Sequence, residues 1–234
     1  MPLTSARCRA AAETSRRKAQ GKRSKAEYNR SAHGPAANRI RREGAAGVAR
    51  RVSDLLQRDL RAVLDGEVRF DAASRALYAT DASVYQIEPR GVIVPRSPDD
   101  VVRTVATAAR HGVSLTPRGG GTSQAGQAIG AGLVLDTSKY LNRILAIDPE
   151  ARTARVQPGV VLDDLNAALK PHHLRFAPDV SSSSRATVGG MIANNSSGAR
   201  SVLYGKTIDH VRTQQVVLAD RSTGAVASTK ASRL

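Results

Sequence analysis

The sequence has a single cysteine, Cys8, among 234 residues, and this scarcity excludes several kinds of site. One thiol cannot form an internal disulfide, and it cannot build a cysteine-rich metal cluster. No apolar run approaches the about 18–20 residues that cross a bilayer, and the N-terminus lacks the apolar core of a secretory signal peptide. The cysteine usage fits a reducing compartment, so we expect a cytoplasmic protein.

Acidic residues are scarce in the first fifth of the chain. The protein has a formal net charge of +16, and residues 1–51 contain 14 Lys and Arg against 3 Glu. These residues also lack a sustained apolar period, so we expect a disordered basic tail or sequence outside the folded unit. Two alternatives stay open. A nucleic-acid-binding arm suits the charge, although Tyr28 is the only aromatic residue available for stacking, and a transit peptide has a similar composition.

Deletion of residues 1–51 is expected to leave the thermal midpoint of the remainder nearly unchanged, because a solvated charged segment contributes nothing to a core. Differential scanning calorimetry of the two chains measures this. A fall of more than a few degrees would show that the tail packs on the domain.

Residues 52–85 are predicted to form a helical lead-in to a larger unit at 86–234. Ser53 can cap a helix, and Asp65-Gly66 can end it. Apolar residues at helical spacing form one stripe between them, which consists of Leu55, Leu56, Leu60, Val63 and Leu64.

A strand, a helix and a second strand follow, and together they predict a βαβ unit. GVIVP at 91–95 and VSLTP at 113–117 are the strands. The helix between them has Ser97 as its cap, Pro98 at its first position and Gly112 at its end. Its predicted inner face consists of Val101, Val102, Val105 and Ala109.

The rest of the sequence alternates short strands with one clear helix. A strand is predicted at 132–138, a hairpin that turns at 148–150, and a final hairpin at 214–228. The helix between the hairpins is amphipathic through Leu162, Leu165 and Leu169. Hairpins beside a single βαβ unit favour an α+β fold over a regular parallel sheet.

The stretch PRGGGTSQAG at 117–126 places three glycines directly after the second βαβ strand. It is not the dinucleotide fingerprint, because Gln124 stands where the last glycine is needed. It is not a Walker A loop either, because Gln127 and Ala128 replace the Lys and Ser/Thr. Successive unshielded N–H groups with two neighbouring hydroxyls suit an anion. A tight connection between strands explains the loop equally well.

A second unusual stretch, RFAPDVSSSSRATVGGMIANNSSG at 175–198, is rich in small and polar residues. So many polar side chains need many partners if they are buried, and a large polar ligand would supply them. The alternative is a flexible Ser/Gly linker, but linkers seldom contain an apolar helical step such as VGGMIA.

These stretches, in this order, resemble the FAD domain of the FAD-linked oxidases of the p-cresol methylhydroxylase, or vanillyl-alcohol oxidase, type. The likeness is greatest to the branch of D-lactate, glycolate and D-2-hydroxyglutarate dehydrogenases. It covers about residues 86–220, through VIVPRSPDDVVRTVATAARHGVSLTPRGGGTSQAGQ, LNRILAIDPEARTARVQPGVVLDDLNAAL and FAPDVSSSSRATVGGMIANNSSGARSVLYGKTIDHV. It implies a two-lobed α+β domain whose second lobe starts near Pro178 and is incomplete at its C-terminus.

The resemblance also implies roles for individual residues. The pyrophosphate of FAD would be held through backbone N–H groups and hydroxyls of Arg118, Gly119, Gly120, Gly121, Thr122 and Ser123, with Gly126 keeping the loop close. The flavin side of the cleft would be lined by Pro178, Asp179, Thr187, Gly189, Gly190, Asn194, Asn195 and Gly198. Ser197 departs from the family, which often has glycine there. No His or Cys lies between 112 and 171, so we expect no covalent flavin bond from the loop region.

The function implied is that of an enzyme that oxidises a small 2-hydroxy acid by hydride transfer to FAD. In the family a separate domain supplies the catalytic bases and the metal-binding histidines, so the substrate would be bound by a missing C-terminal domain or by a partner subunit. No catalytic or metal-binding residue is therefore assigned, and we expect the chain alone to be inactive. The alternative is a non-catalytic binding module or fragment whose basic arm contacts nucleic acid or an acidic partner.

Overall fold

The computed structural model describes residues 53–220 and 222–227, so the expectations for residues 1–51 lie outside it. The described residues from Asp54 onward belong to one compact unit. Within them, no helix is both long enough and apolar enough to cross a membrane.

The first lobe is a four-stranded sheet with three helices. Its elements in chain order are α1 (53–63), β1 (Glu67–Arg69), α2 (Ala72–Leu77), β2 (Gly91–Val94), α3 (Pro98–Arg110), β3 (Leu115–Arg118) and β4 (Leu133–Asp136). The strand order is β1-β2-β4-β3, with β1 antiparallel to β2 and the other pairs parallel. The predicted strand–helix–strand unit is present, but β4 lies between its two strands. The carboxyl ends of β2, β4 and β3 therefore meet at one edge, where the glycine loop begins.

The predicted inner face of α3 is correct only at Val101, which packs against the buried core of this lobe. Ser97 does cap the helix, since its side chain accepts from the backbone N–H of Asp100. The buried residues, however, are Asp100, Thr104, Thr107 and Ala108, whereas Ala109 is exposed and the three valines are only partly buried. The Thr104 hydroxyl donates to the Asp100 carbonyl at 2.6 Å, so this threonine is buried without an unpaired hydroxyl. A pattern read from apolar residues alone misses such a face.

The predicted stripe of α1 is correct for only part of its length. Leu56 and Leu60 are fully buried against Ile93 of β2, but Leu55 and Val63 are 45% and 36% exposed. Leucines one residue apart lie about 100° apart around a helix, so neighbours such as Leu55 and Leu56 cannot both face the same sheet.

The second lobe packs one hairpin and two helices around its own core, while the strand Thr213–Val217 of its last hairpin contacts α3 of the first lobe. Its elements are β5 (Ile144–Asp148), β6 (Thr153–Val156), α4 (Leu162–Leu169), a short 3₁₀ turn (Lys170–His172), α5 (Val188–Asn194), α6 (Ser201–Tyr204), α7 (Thr207–His210), β7 (Thr213–Val217) and β8 (Thr223–Ala227). Both predicted hairpins are present as antiparallel pairs, β5 with β6 and β7 with β8. The predicted leucines of α4 are all buried.

The second lobe begins earlier in the chain than Pro178. Its core joins Leu162, Leu165 and Leu169 of α4 to Val188 and Met191 of α5, and residues of β5 and β6 pack against it. A separate cluster of buried side chains fills the first lobe. The two-lobed α+β expectation is therefore confirmed, with the boundary moved to the start of β5.

Glu67 of β1 ties the edge of the first sheet to the segment that follows β4. Its carboxylate accepts hydrogen bonds from the Lys139 ammonium, the Tyr140 hydroxyl and the Arg69 guanidinium. These donors, Lys139 first among them, lower the pKa of Glu67 from 4.5 to about 2.

Glu67→Gln is expected to reduce the free energy of unfolding at neutral pH, by no more than about 3 kcal/mol. Because the pKa of Glu67 is lower in the folded than in the unfolded chain, its contribution is present above pH 4.5 and is lost as the pH falls toward 2. Thermal melts of both proteins should differ at pH 7 and converge near pH 2. A difference that stays constant across this range would contradict the assignment.

Candidate cofactor-binding site

The glycine loop leaves β3 at the edge where the parallel strands end. Among the described residues, the backbone N–H groups of Gly119 to Ser123 donate no hydrogen bond. The loop is nevertheless held in place, since the carbonyl of Gly121 accepts from the backbone N–H of Ala82 at 3.1 Å. Gly121 has φ +66° and Gly126 has φ +79°, which side-chain-bearing residues rarely adopt. The loop thus presents five successive free donors on a fixed backbone, as an anion requires.

Of the two hydroxyls in the loop, that of Ser123 has partners within residues 53–220 and that of Thr122 has none there. The Ser123 hydroxyl donates to the side-chain oxygen of Gln127 and also accepts from the backbone N–H of Ala125. Thr122 makes no side-chain hydrogen bond within residues 53–220. Of the two residues, Thr122 is the one whose hydroxyl can turn to a ligand without losing a partner.

The loop packs directly against the second polar stretch. A Cβ on Gly119 would lie 2.0 Å from the Thr187 hydroxyl oxygen, and a Cβ on Gly120 would lie 2.1 Å from the Arg185 carbonyl oxygen. Real Cβ atoms do not approach other atoms so closely, so only glycine fits at these two positions. The two stretches that the sequence singled out are therefore brought together, one from each lobe.

The side chain of Arg118 supports the loop from behind. Its guanidinium donates to the carbonyls of Thr80 at 2.8 Å and Ala128 at 3.2 Å, and it lies 5.2 Å from the centre of the Tyr78 ring. A Cβ on Gly121 would lie 2.5 Å from this guanidinium. The Arg118 side chain thus acts as a buttress of the loop.

Half-buried Tyr78 and buried Asp136 form a hydrogen-bonded pair that the sequence analysis missed. The Tyr78 hydroxyl donates to Asp136 at 2.5 Å, and the other carboxylate oxygen accepts from the backbone N–H and hydroxyl of Ser138. Burial first, and the bond to Asp136 second, raise the pKa of Tyr78 above its usual value. The phenol therefore stays neutral, and its ring lies beneath the guanidinium of Arg118. Asp136 could have been found from its place at the end of a buried strand, whereas no pattern in the sequence marks Tyr78.

Thr187 joins the loop to α5. Its hydroxyl accepts from the backbone N–H of Gly190 at 3.3 Å and so caps the helix. Gly189 lies against Pro158, where a Cβ would be 2.6 Å from the proline ring. The position of Gly189 is therefore set by packing, and that of Gly190 by the helix cap. Together they keep Thr187 beside Gly119.

The end of α5 gathers the remaining candidate residues. Asp179 forms an ion pair with Arg200 at 2.7 Å, and this bond lowers the pKa of the Asp179 carboxyl. A Cβ on Gly198 would lie 2.2 Å from the Asp179 carbonyl oxygen, so glycine is required there as well. Asn195 ends the helix with φ +46°, and its side-chain oxygen accepts from the backbone N–H of Ile208.

Two candidates of this second group, Pro178 and Asn194, differ in exposure and bonding. Pro178 is buried, whereas Asn194 is exposed and donates only to the Gly190 carbonyl, at 3.1 Å. Within the described chain, no hydrogen bond links Asp179, Asn194 or Asn195 directly to the glycine loop. The loop and the end of α5 are thus two separate parts of the candidate site, connected through Thr187 and α5.

Comparisons with known proteins agree with this geometry. A family model described as an FAD binding domain matches residues 89–223. The D-2-hydroxyglutarate dehydrogenase of Pseudomonas putida is 50% identical over 149 residues, which are 62% of this chain and 15% of that protein. The glycolate oxidase subunit GlcD of Bacillus subtilis is 41% identical over 162 residues, which are 67% of this chain and 34% of that protein.

A solved structure shows the same fold. Alkyldihydroxyacetonephosphate synthase superimposes with a TM-score of 0.66 at 23% identity, over 74% of this chain and 38% of that one. The chain spans about a seventh to a third of the length of the two curated relatives described above. The chain therefore belongs to the family of FAD-binding domains that its sequence resembles, the p-cresol methylhydroxylase type, and its cofactor is FAD.

Proposed function

We propose that the chain is the FAD-binding part of a flavin-dependent oxidoreductase that oxidises a small 2-hydroxy acid. The observation that carries the proposal is the loop at 119–123, whose five free N–H donors are fixed against the polar stretch of the second lobe. The substrate class is supported by the relatives, which are named for D-2-hydroxyglutarate and glycolate.

The residues present fit the phosphate part of FAD. The backbone of Gly119 to Ser123 and the free hydroxyl of Thr122 would bind the pyrophosphate oxygens as donors. Glycines pressed against Thr187 and Arg185 leave the N–H groups unshielded by side chains. We assign Pro178, Asp179, Asn195 and Gly198 to the flavin side of the same site, where they would position the ring.

When bound, FAD supplies the hydride-accepting chemistry, and the protein binds and orients it. The donors of the loop are fixed before the ligand arrives, so little ordering is needed on binding. We further propose that the substrate, and the groups that remove its proton, are bound by other parts of the enzyme, either another domain or a partner subunit. A cytoplasmic location belongs to the same proposal and is supported by the cysteine content.

A chimera tests this function directly. Residues 89–223 would replace the matching segment of the Bacillus subtilis glycolate oxidase subunit GlcD, which is 41% identical to this chain. We expect the purified chimera to contain FAD and to reduce a dye with glycolate. A parallel assay with D-2-hydroxyglutarate and D-lactate compares substrates. A chimera that folds like its parent but contains no FAD would refute the proposal.

A further inference from the structure

Arg185 lies where the second polar stretch contacts the glycine loop. Its carbonyl oxygen is 2.1 Å from the position of a Cβ on Gly120, so its backbone touches the middle of the glycine loop. The serine run beside Arg185 belongs to the second polar stretch, but Arg185 itself is not among the candidate residues that the resemblance implies. A long side chain that starts here has the loop within its reach.

The backbone of Arg185 is fixed by a tight turn. The N–H groups of Arg185 and Ala186 both donate to the Ser182 carbonyl, at 2.8 and 2.7 Å. The Ala186 carbonyl in turn accepts from the backbone N–H of Leu162 at the start of α4. The turn is therefore anchored to a buried helix, and the side chain extends from a defined point.

The guanidinium of Arg185 has no partner within the described chain. Arg185 is exposed, and it forms no side-chain hydrogen bond or ion pair with residues 53–220 or 222–227. Arg118, by contrast, is occupied by two backbone carbonyls, and Arg200 is paired with Asp179. Arg185 thus carries a cation with no partner in the described chain, on a backbone position that contacts the loop of five free N–H donors.

We infer that Arg185 binds the pyrophosphate of FAD and supplies the positive charge that the loop itself lacks. Backbone N–H groups offer partial charges only, whereas a guanidinium adds a full charge and a planar pair of donors that match phosphate oxygens. The inference deepens the proposed function and rests on the same site.

The test compares ligands that share or lack the pyrophosphate. Isothermal titration calorimetry would measure binding of ADP, FAD and riboflavin to the wild type, Arg185→Gln and Arg185→Lys. Arg61→Gln, at an exposed arginine of α1, makes the same charge change in a different element. We expect Arg185→Gln to weaken ADP and FAD about tenfold, Arg185→Lys to weaken them less, and riboflavin to be unaffected.

Three results would overturn the inference, and they differ from one another. ADP binding by Arg185→Gln within twofold of the wild type, with an unchanged thermal midpoint, would remove Arg185 from the site and leave the FAD site standing. If the wild type bound neither FAD nor ADP, both the FAD site and the role of Arg185 in it would be refuted. If Arg185→Gln has a lower thermal midpoint than the wild type, the affinity of Arg185→Lys for ADP is used instead, because lysine keeps the positive charge and a long side chain. If Arg185→Lys bound ADP with wild-type affinity at both low and high salt, that result would also count against a role for the planar pair of guanidinium donors.

Discussion

Gly120→Val is expected to lower the affinity for FAD about a hundredfold and the thermal midpoint by roughly 2–10 °C. The Cβ alone would lie 2.1 Å from the Arg185 carbonyl oxygen. That oxygen belongs to a turn held by two hydrogen bonds to the Ser182 carbonyl, so it cannot retreat without breaking them. The loop must move instead, and its N–H groups then no longer converge on one anion.

Gly224→Val is the matched control for this experiment. Gly224 lies in β8, has an ordinary φ, and a Cβ there would meet nothing within 4 Å. We expect this variant to keep both its affinity for FAD and its thermal midpoint, as measured by fluorescence titration and calorimetry. If Gly120→Val also kept its affinity, the loop would not be the phosphate site.

The sequence predicted the parts of the fold that have strong local signals. The helix α3 has a cap, a proline and a terminal glycine, and α4 has three leucines at helical spacing, so both were located correctly. The elements β1, α6 and α7 have three or four residues each, which is too short for any period to be read. The proposed boundary between a lead-in at 52–85 and a domain at 86–234 stays a prediction.

The candidate site could be predicted as two stretches, but not as a set of contacts. The signal was the runs of glycine and small polar residues, because glycine weakens an ordered element and buried polar side chains need hydrogen-bond partners. The role of the Arg118 side chain could not be predicted, since its acceptors are the carbonyls of Thr80 and Ala128, and every residue has a carbonyl. The positions of Gly119 and Gly120 against Thr187 and Arg185 depend on the packing of two lobes, which no local pattern contains.

Thr122→Asp is expected to weaken FAD binding about a hundredfold while leaving the fold intact. Thr122 is partly buried, its own N–H is one of the five free N–H groups, and its hydroxyl has no partner within residues 53–220. A carboxylate at this position would repel the pyrophosphate at short range. It would also occupy the donors of its own loop, since an Asp side chain readily accepts from backbone N–H groups nearby.

Thr122→Asn separates charge from shape in this prediction. Asparagine has nearly the same size as aspartate and can still donate a hydrogen bond, so we expect its affinity for FAD to fall no more than about threefold. The difference between the two variants should shrink as salt is raised, because an exposed charge is screened. Riboflavin, which has no phosphate, should bind both variants equally. If the aspartate and asparagine variants bound FAD equally well, the anion at this loop would be refuted, because a single added negative charge beside a pyrophosphate cannot be neutral in its effect.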